Sequence, residues 1–376
     1  MRRGWWRLAV VLAAMSIVAA ACGEDEGGGA TGGGETGGAA TGTATGATAE
    51  LGGTLVISNW DLYMPEDLVP AFEAETGVNV EYALHTTNED IMGKLTAQNG
   101  GGFDLVFISG PFSQALAEQG WAHELDHSKI PNLANLYPEA SELTYDPGNT
   151  HSVPYTWGTT GICYRSDLVS ETPASWEIFN DPPAELDGKM TMLGTDRWLL
   201  QPGLLSLGYS INTDDAGQID EATAWTEEAK THLLGFDDTT FSAKLVSGEA
   251  LAVQAWDGWC ELGRAEDPAV DFVIPDQGSD LWFDTMVILE SSQNKDAAYA
   301  FIDFMLRAES GKAVEEYTFY KVPNAAAQEL MDPATLEQFP TLAIPPSVLL
   351  AQEGQTYLGA EGILRWTRAA TQIKAG

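Results

Sequence analysis
The sequence predicts an α/β fold built as two lobes, and three observations carry that prediction. Strand-like and helix-like segments alternate from Thr54 to Ile108. After the leader about 325 residues remain, more than one hydrophobic core usually serves. Two segments, residues 154–161 and 278–282, read as crossings out of a first lobe and back into it.

Each element follows from local pattern. Thr54 to Ser58 is a short apolar strand, followed by a loop from Asn59 to Met64. A helix begins near Pro65, with Glu66 and Asp67 in its first turn, and ends at Gly77; Pro70 kinks the opening turn. Val78, Val80 and Tyr82 alternate as a strand, Asn88 caps a helix carrying Ile91, Met92 and Leu95 to one side, and Phe103 to Ile108 is a buried strand. This β-α-β-α-β order implies a parallel sheet with helices on its faces, where ligands sit beyond the carboxyl ends of the strands. Asn59 to Tyr63 and Ser109 to Phe112 are thereby placed at the candidate site.

The first crossing leads into a strand at Ile162 to Tyr164. A strand at Met190 to Leu193, a helix from Glu221 to Leu234 and a strand from Leu251 to Ala255 running into Trp256 build the second lobe. The return near Gly278 to Trp282 precedes a strand at Thr285 to Leu289 and a helix from Asp296 to Arg307, with Phe301, Phe304 and Met305 on its apolar face. A chain that leaves one lobe and returns makes a hinge suited to closure on a ligand.

The leader sets the compartment. Arg2, Arg3 and Arg7 form a basic start, Leu8 to Ala21 an apolar stretch too short to span a bilayer, and Ala19 to Ala21 the small residues that precede peptidase cleavage. Residues 1–21 read as an export signal. With Cys22 they resemble the lipobox of bacterial lipoproteins, although Ala19 stands where that family favours Leu. The resemblance implies lipidation of Cys22 and anchoring to the outer face of the cytoplasmic membrane, in a periplasm or at the cell surface. Residues 22–51, mostly Gly, Thr and Ala, cannot bury a core and read as a flexible linker.

The chain carries a net charge of −37, and loss of the three leader arginines leaves 15 basic against 55 acidic residues. Nucleic acid and anionic lipid are disfavoured as partners, while small cations are attracted. Cys163 and Cys260 can bridge in an oxidising exterior, but spacing alone leaves their pairing open.

Two chemistries compete in the motifs. His123-Glu124-Leu125-Asp126-His127 satisfies the zinc-protease spacing, which requires a helix to bring both histidines to one face. Gly120 before it and Pro131 after it deny that helix, so a zinc-dependent hydrolase is disfavoured and neither metal nor cofactor is expected. Aromatics followed by acids recur instead at three strand ends: Trp60-Asp61 with Tyr63, Trp256-Asp257 with Trp259, and Trp282-Phe283-Asp284. Carboxylates hold ammonium groups and indole faces attract cations and cover methylenes, a combination suited to alkylamines.

The segments Ser58 to Pro65, Phe72 to Val80, Asp104 to Val106, Ile130 to Leu136, Pro154 to Thr159, Leu207 to Ser210 and Tyr320 to Asn324 together resemble the bacterial spermidine/putrescine-binding proteins of polyamine ABC importers. The resemblance runs from Gly53 nearly to the C-terminus. It implies the two-lobed periplasmic-binding-protein fold, type II, with a ligand cleft between lobes. The implied lobes are residues 52–158 with 281–328, and 159–280 with C-terminal helices over 329–376. It further implies a monomeric, non-enzymatic receptor that passes a polyamine to membrane permease subunits. Carried over by position, Trp60, Tyr63, Trp256, Trp282 and Tyr320 are the aromatic walls, Asp284 the carboxylate that grips an amino group, and Ser109 and Pro111 the loop lining the cleft, with Asp61 beside the first Trp. The chain departs from the family at Thr195 and Trp198, where the spermidine binders carry an acidic pair. A second ammonium anchor is then either absent or supplied by Asp61, Asp196, Asp257 or Glu261. A receptor for another cationic or quaternary amine is the alternative this departure leaves open.

Overall fold
The computed structural model describes residues 51–375. The export signal, Cys22 and the linker through Glu50 lie outside the described residues.

The first sheet starts with β1 (Thr54–Asn59), β2 (Asn79–Leu84) and β3 (Leu105–Ser109), all parallel with β1 in the middle. Helices α1 (Leu68–Thr76) and α2 (Asn88–Ala97) make the crossovers, and α3 (Gly110–Glu118) leaves the end of β3. α1 starts at Leu68, later than its sequence suggests, so Pro70 falls in the first turn, where its missing N–H has no intrahelical partner to lose. Gly77 closes that helix at φ 70°, a left-handed position that glycine takes without penalty. Thr87, not Asn88, caps α2: its extended backbone lets Oγ1 accept from the Asp90 N–H at 3.1 Å. The Asn88 side chain is thereby free to reach Ser109.

Next, β4 (Val153–Gly158) ends in the first sheet, and after Thr159 alone β5 (Thr160–Arg165) begins the second. That sheet continues through β6 (Met190–Met192), α4 (Asp196–Ser206), α5 (Ala216–Lys230), β7 (Leu233–Phe236), α6 (Phe241–Ser247), β8 (Ala252–Trp256), α7 (Asp257–Glu266) and β9 (Val270–Val273), with strand order β7-β6-β8-β5-β9. The helix expected over Glu221 to Leu234 is corrected at both ends. Asp215 caps it by accepting from the Gln218 N–H, and Leu233 onward is drawn into parallel pairing with β6. The chain returns as β10 (Asp280–Ile288), followed by α8 (Lys295–Met305) and α9 (Ala308–Thr318). β10 starts earlier than expected, so Trp282 and Asp284 sit within a strand. Pairing with β4 on one edge and with β3 and β11 (Glu353–Gly354) on the other overrides the loop-like look of a segment holding two acids. Both sheets are mixed, because β10 meets β3 and β4 antiparallel and β5 meets β8 and β9 antiparallel. The C-terminal helix (Gly359–Ala375) packs Trp366, Ala370 and Ile373 against Leu199, Leu204 and Ala222 of α4 and α5.

The crossings meet at one buried carboxylate. Asp280 Oδ1 accepts from the Thr160 backbone N–H (2.9 Å) and Gln201 Nε2 (3.2 Å), while Oδ2 accepts from Trp198 Nε1 and Gln355 Nε2, both at 2.8 Å. Thr159 Oγ1 donates to the Asp280 carbonyl at 2.7 Å, so outgoing and returning strands are pinned together.

The cysteines left open by spacing are joined. Cys163 of β5 and Cys260 of α7 form a disulfide with Cα atoms 5.7 Å apart, closing a 97-residue separation around the second sheet. Replacing both with serine should cost about 2–4 kcal/mol of stability, by loss of unfolded-state constraint, and should be visible as a lowered urea midpoint. An unchanged midpoint would mean that the bridge contributes nothing to the fold.

Candidate functional site
The site grows from β10, whose alternation puts Asp280, Trp282 and Asp284 on one face. Asp284 is the centre. Its Oδ1 accepts from Ser109 Oγ and its Oδ2 from the Tyr63 hydroxyl, each at 2.6 Å. Neither donor is free to drift: Asn88 brackets Ser109 by donating to its Oγ and accepting from its N–H, both at 3.0 Å, and Tyr63 OH also lies 2.6 Å from Thr156 Oγ1. Burial raises the Asp284 carboxyl above the usual range, while its bonds from Ser109 and Tyr63 pull the other way. An acid held by two neutral donors, with no lysine or arginine pairing to it among the described residues, is suited to an incoming cation.

Aromatic rings continue from that carboxylate. Trp60 meets Tyr63 edge-on with centroids 5.5 Å apart, Tyr63 meets Tyr320 at 5.9 Å, and Tyr320 meets Trp282 at 4.9 Å. From the second sheet, Trp198 and Trp256 meet edge-on at 5.2 Å. Both are part-buried and pack against the cores of both sheets, so they bridge the lobes. Trp60 also packs on His85 at 4.7 Å, and burial lowers that imidazole to about 4, keeping it neutral.

The remaining sequence candidates separate. Pro111 is buried in the first turn of α3, behind Ser109. Thr195 precedes α4 with its N–H on Asp238 Oδ1 at 3.2 Å, and Trp198 is held by Asp280. Asp61 is exposed and accepts from the Leu62 N–H within its own turn, Asp196 reaches Lys374 at 3.2 Å, and Glu261 is covered by the Thr341 N–H at 2.8 Å. The zinc-like pair does not share a helical face: His123 Nδ1 lies 2.6 Å from Glu290 Oε2 and His127 Nε2 lies 2.8 Å from the Asn149 carbonyl. Sequence reasoning gave Asn88 only a capping role and passed over Thr156 and Asp280, whose site roles arise from pairings between distant segments.

A family profile described as bacterial extracellular solute-binding protein matches residues 67–342. The spermidine/putrescine-binding periplasmic protein of Escherichia coli K12 is 32% identical over 288 residues, 76% of this chain and 82% of the relative. The chain belongs to the bacterial extracellular solute-binding proteins. A putrescine/cadaverine-binding protein of Pseudomonas aeruginosa is 31% identical over 298 residues, covering 76% of this chain and 84% of that one. The crystal structure of the spermidine/putrescine ABC transporter substrate-binding protein of Streptococcus pneumoniae superposes with a TM-score of 0.76 at 29% identity, over 86% of this chain and 98% of that one. The two-lobed periplasmic-binding-protein architecture is therefore shared.

One further acid of this solute-binding protein stands out. Asp257, the first residue of α7, is 2% exposed and accepts only from the Gly258 N–H (2.9 Å) and the Thr159 N–H (3.2 Å). Burial pushes its carboxyl up to about 8, those two bonds lower it, and the neighbouring Asp280 and Glu261 raise it. The folded protein then holds a proton that the unfolded chain releases above its ordinary carboxylate value of about 3.9. Stability contributed by this group therefore falls as pH rises from about 4 towards 8. Urea titrations at pH 5 to 8 should show Asp257→Asn gaining on the native protein with rising pH, by at most about 1.4 kcal/mol per unit. Parallel pH curves would contradict the burial of an unpaired acid there.

Proposed function
We propose that this protein is the receptor of an ABC importer, capturing a polyamine or related cationic amine outside the cytoplasm and delivering it unchanged to the membrane permease. The observation that carries the reading is Asp284, a carboxylate with neutral donors only, bonded to Tyr63 within a series of aromatic rings. The ammonium supplies the missing counter-charge, and the indole and phenol rings cover the methylenes and add cation–π attraction. The names of the relatives, binders of spermidine, putrescine and cadaverine, support the same ligand class. Closure of residues 52–158 and 281–328 against 159–280 and the C-terminal helices would exclude water from the pair. In this reading Cys22 carries the lipid that keeps the receptor, as a monomer, at the membrane surface, with residues 22–51 as its leash.

A quaternary amine is the second reading, favoured by Trp198. Its indole N–H is committed to Asp280 and its ring edge to Trp256, so that wall is aromatic and offers no carboxylate. Titration calorimetry with putrescine, spermidine, spermine and choline separates the two. Polyamines should bind, Asp284→Ala should abolish the heat, and Trp256→Ala should weaken affinity about tenfold or more. Binding of choline alone would favour the quaternary amine, and normal affinity in both variants would put the site elsewhere.

A further inference from the structure
We infer that the second lobe carries a ligand site of its own, outside the cleft, in which Glu261 and Thr341 hold a short primary alkylammonium ion.

A cavity of about 100 Å³ lies at the edge of the second sheet, between α7, the edge strand β9 and the 3-10 turn at Pro340–Ala343. Neither Asp284 nor any ring of the cleft lines it. Glu261 and Arg264, three residues apart on one side of α7, face Asp271 and Thr341 across it, and Phe272 and Ile344 supply apolar wall.

Two buried polar atoms border this cavity without partners. Glu261 is 2% exposed; its Oε1 accepts from the Thr341 N–H at 2.8 Å, whereas its Oε2 meets no donor. Thr341 is 4% exposed, and its hydroxyl stands beside the same carboxyl outside hydrogen-bond geometry. Buried polar atoms left unpaired are costly, and one ammonium group, with three N–H donors, satisfies both.

The charges around the cavity are one short of balance. Arg264 is already spent: its Nε donates to the Gln338 carbonyl at 2.9 Å, its Nη1 donates to the Val270 carbonyl at 2.8 Å, and Nη1 lies 3.4 Å from Asp271 Oδ1. Asp271 thus offsets the guanidinium where both reach the surface, and Glu261 forms no ion pair with any lysine or arginine among the described residues. Burial raises the Glu261 carboxyl, Thr341 and Arg264 lower it, and Asp271 raises it further. A single positive charge completes the set.

Size narrows the class. A cavity of about 150 Å³ takes benzene, with its six heavy atoms, so about 100 Å³ takes roughly four. Amines of one to three carbons fit, with the alkyl group against Phe272 and Ile344. A diaminobutane, with six heavy atoms, does not, so cavity and cleft select by length.

A ligand of three heavy atoms reaches about millimolar affinity at best, a range suited to NMR. Titrating the purified, isotope-labelled protein with ethylammonium chloride, acetamide or sodium chloride reads the site through the Thr341 amide. Ethylammonium should move that resonance with a Kd of about 1 mM, and the neutral amide and the simple salt should not. Glu261→Gln, which keeps an acceptor for the Thr341 N–H but loses the charge, should weaken binding about tenfold or more. Ile344→Phe, which fills the cavity and leaves Glu261 intact, should abolish it. An unmoved Thr341 amide would mean that only water occupies the cavity and would overturn the inference. So would an equal response to acetamide, or unchanged affinity in both variants. A response that disappears in Asp284→Ala would belong to the cleft and would likewise overturn it.

Discussion

Everything in the site hangs on how the Asp280 carboxylate is satisfied where the strands cross. A buried charge without a counter-ion is costly unless hydrogen bonds replace its water, and four N–H donors from three separate segments do so here. Those donors are the first residue of β5, two side chains of α4 and Gln355 just after β11. The carboxylate therefore fixes the outgoing strand, the helix carrying Trp198 and the final return of the chain relative to β10. The aromatic wall made by Trp198 and Trp256 takes its position from this knot.

Three acids near one another then acquire three characters from their donors alone. Asp280 is saturated and sealed. Asp284 is bonded by Ser109 and Tyr63 but still reached by solvent, which suits a carboxylate that must take up and release a cation. Asp257 is sealed with few donors and held protonated by burial. Neighbouring carboxylates need not repel when only some of them are ionised, and a cationic ligand would complete the balance. The aromatic series from Trp60 to Trp282 lines an apolar surface beside Asp284.

Much of the first lobe could be read directly, because Gly77 ends one helix, alternation marks β2, and the run Phe103 to Ile108 admits only a buried strand. The carboxylate Asp284 and the rings of Trp60, Tyr63, Trp256, Trp282 and Tyr320 could also be named as candidates, since aromatics beside acids at strand ends form a local pattern. β10 was harder. Asp280 and Asp284 make its first half look like loop, and only pairing with strands from elsewhere makes it strand. The role of Asp280 was invisible for the same reason, with side-chain and backbone donors lying 75 to 120 residues away in sequence. Asp257 was one of four acids the sequence could offer as a second anchor. Its contacts with Gly158 and Trp282 come from segments far apart in sequence, which no local pattern records.

The most direct test is a crystal structure of the protein with a bound diamine. The account requires one ammonium within hydrogen-bond distance of the Asp284 carboxylate, alongside Ser109 and Tyr63, with the methylenes against Trp282 and Tyr320. Density for the amine anywhere else, or a closed cleft with Asp284 contacting no ligand atom, would contradict it.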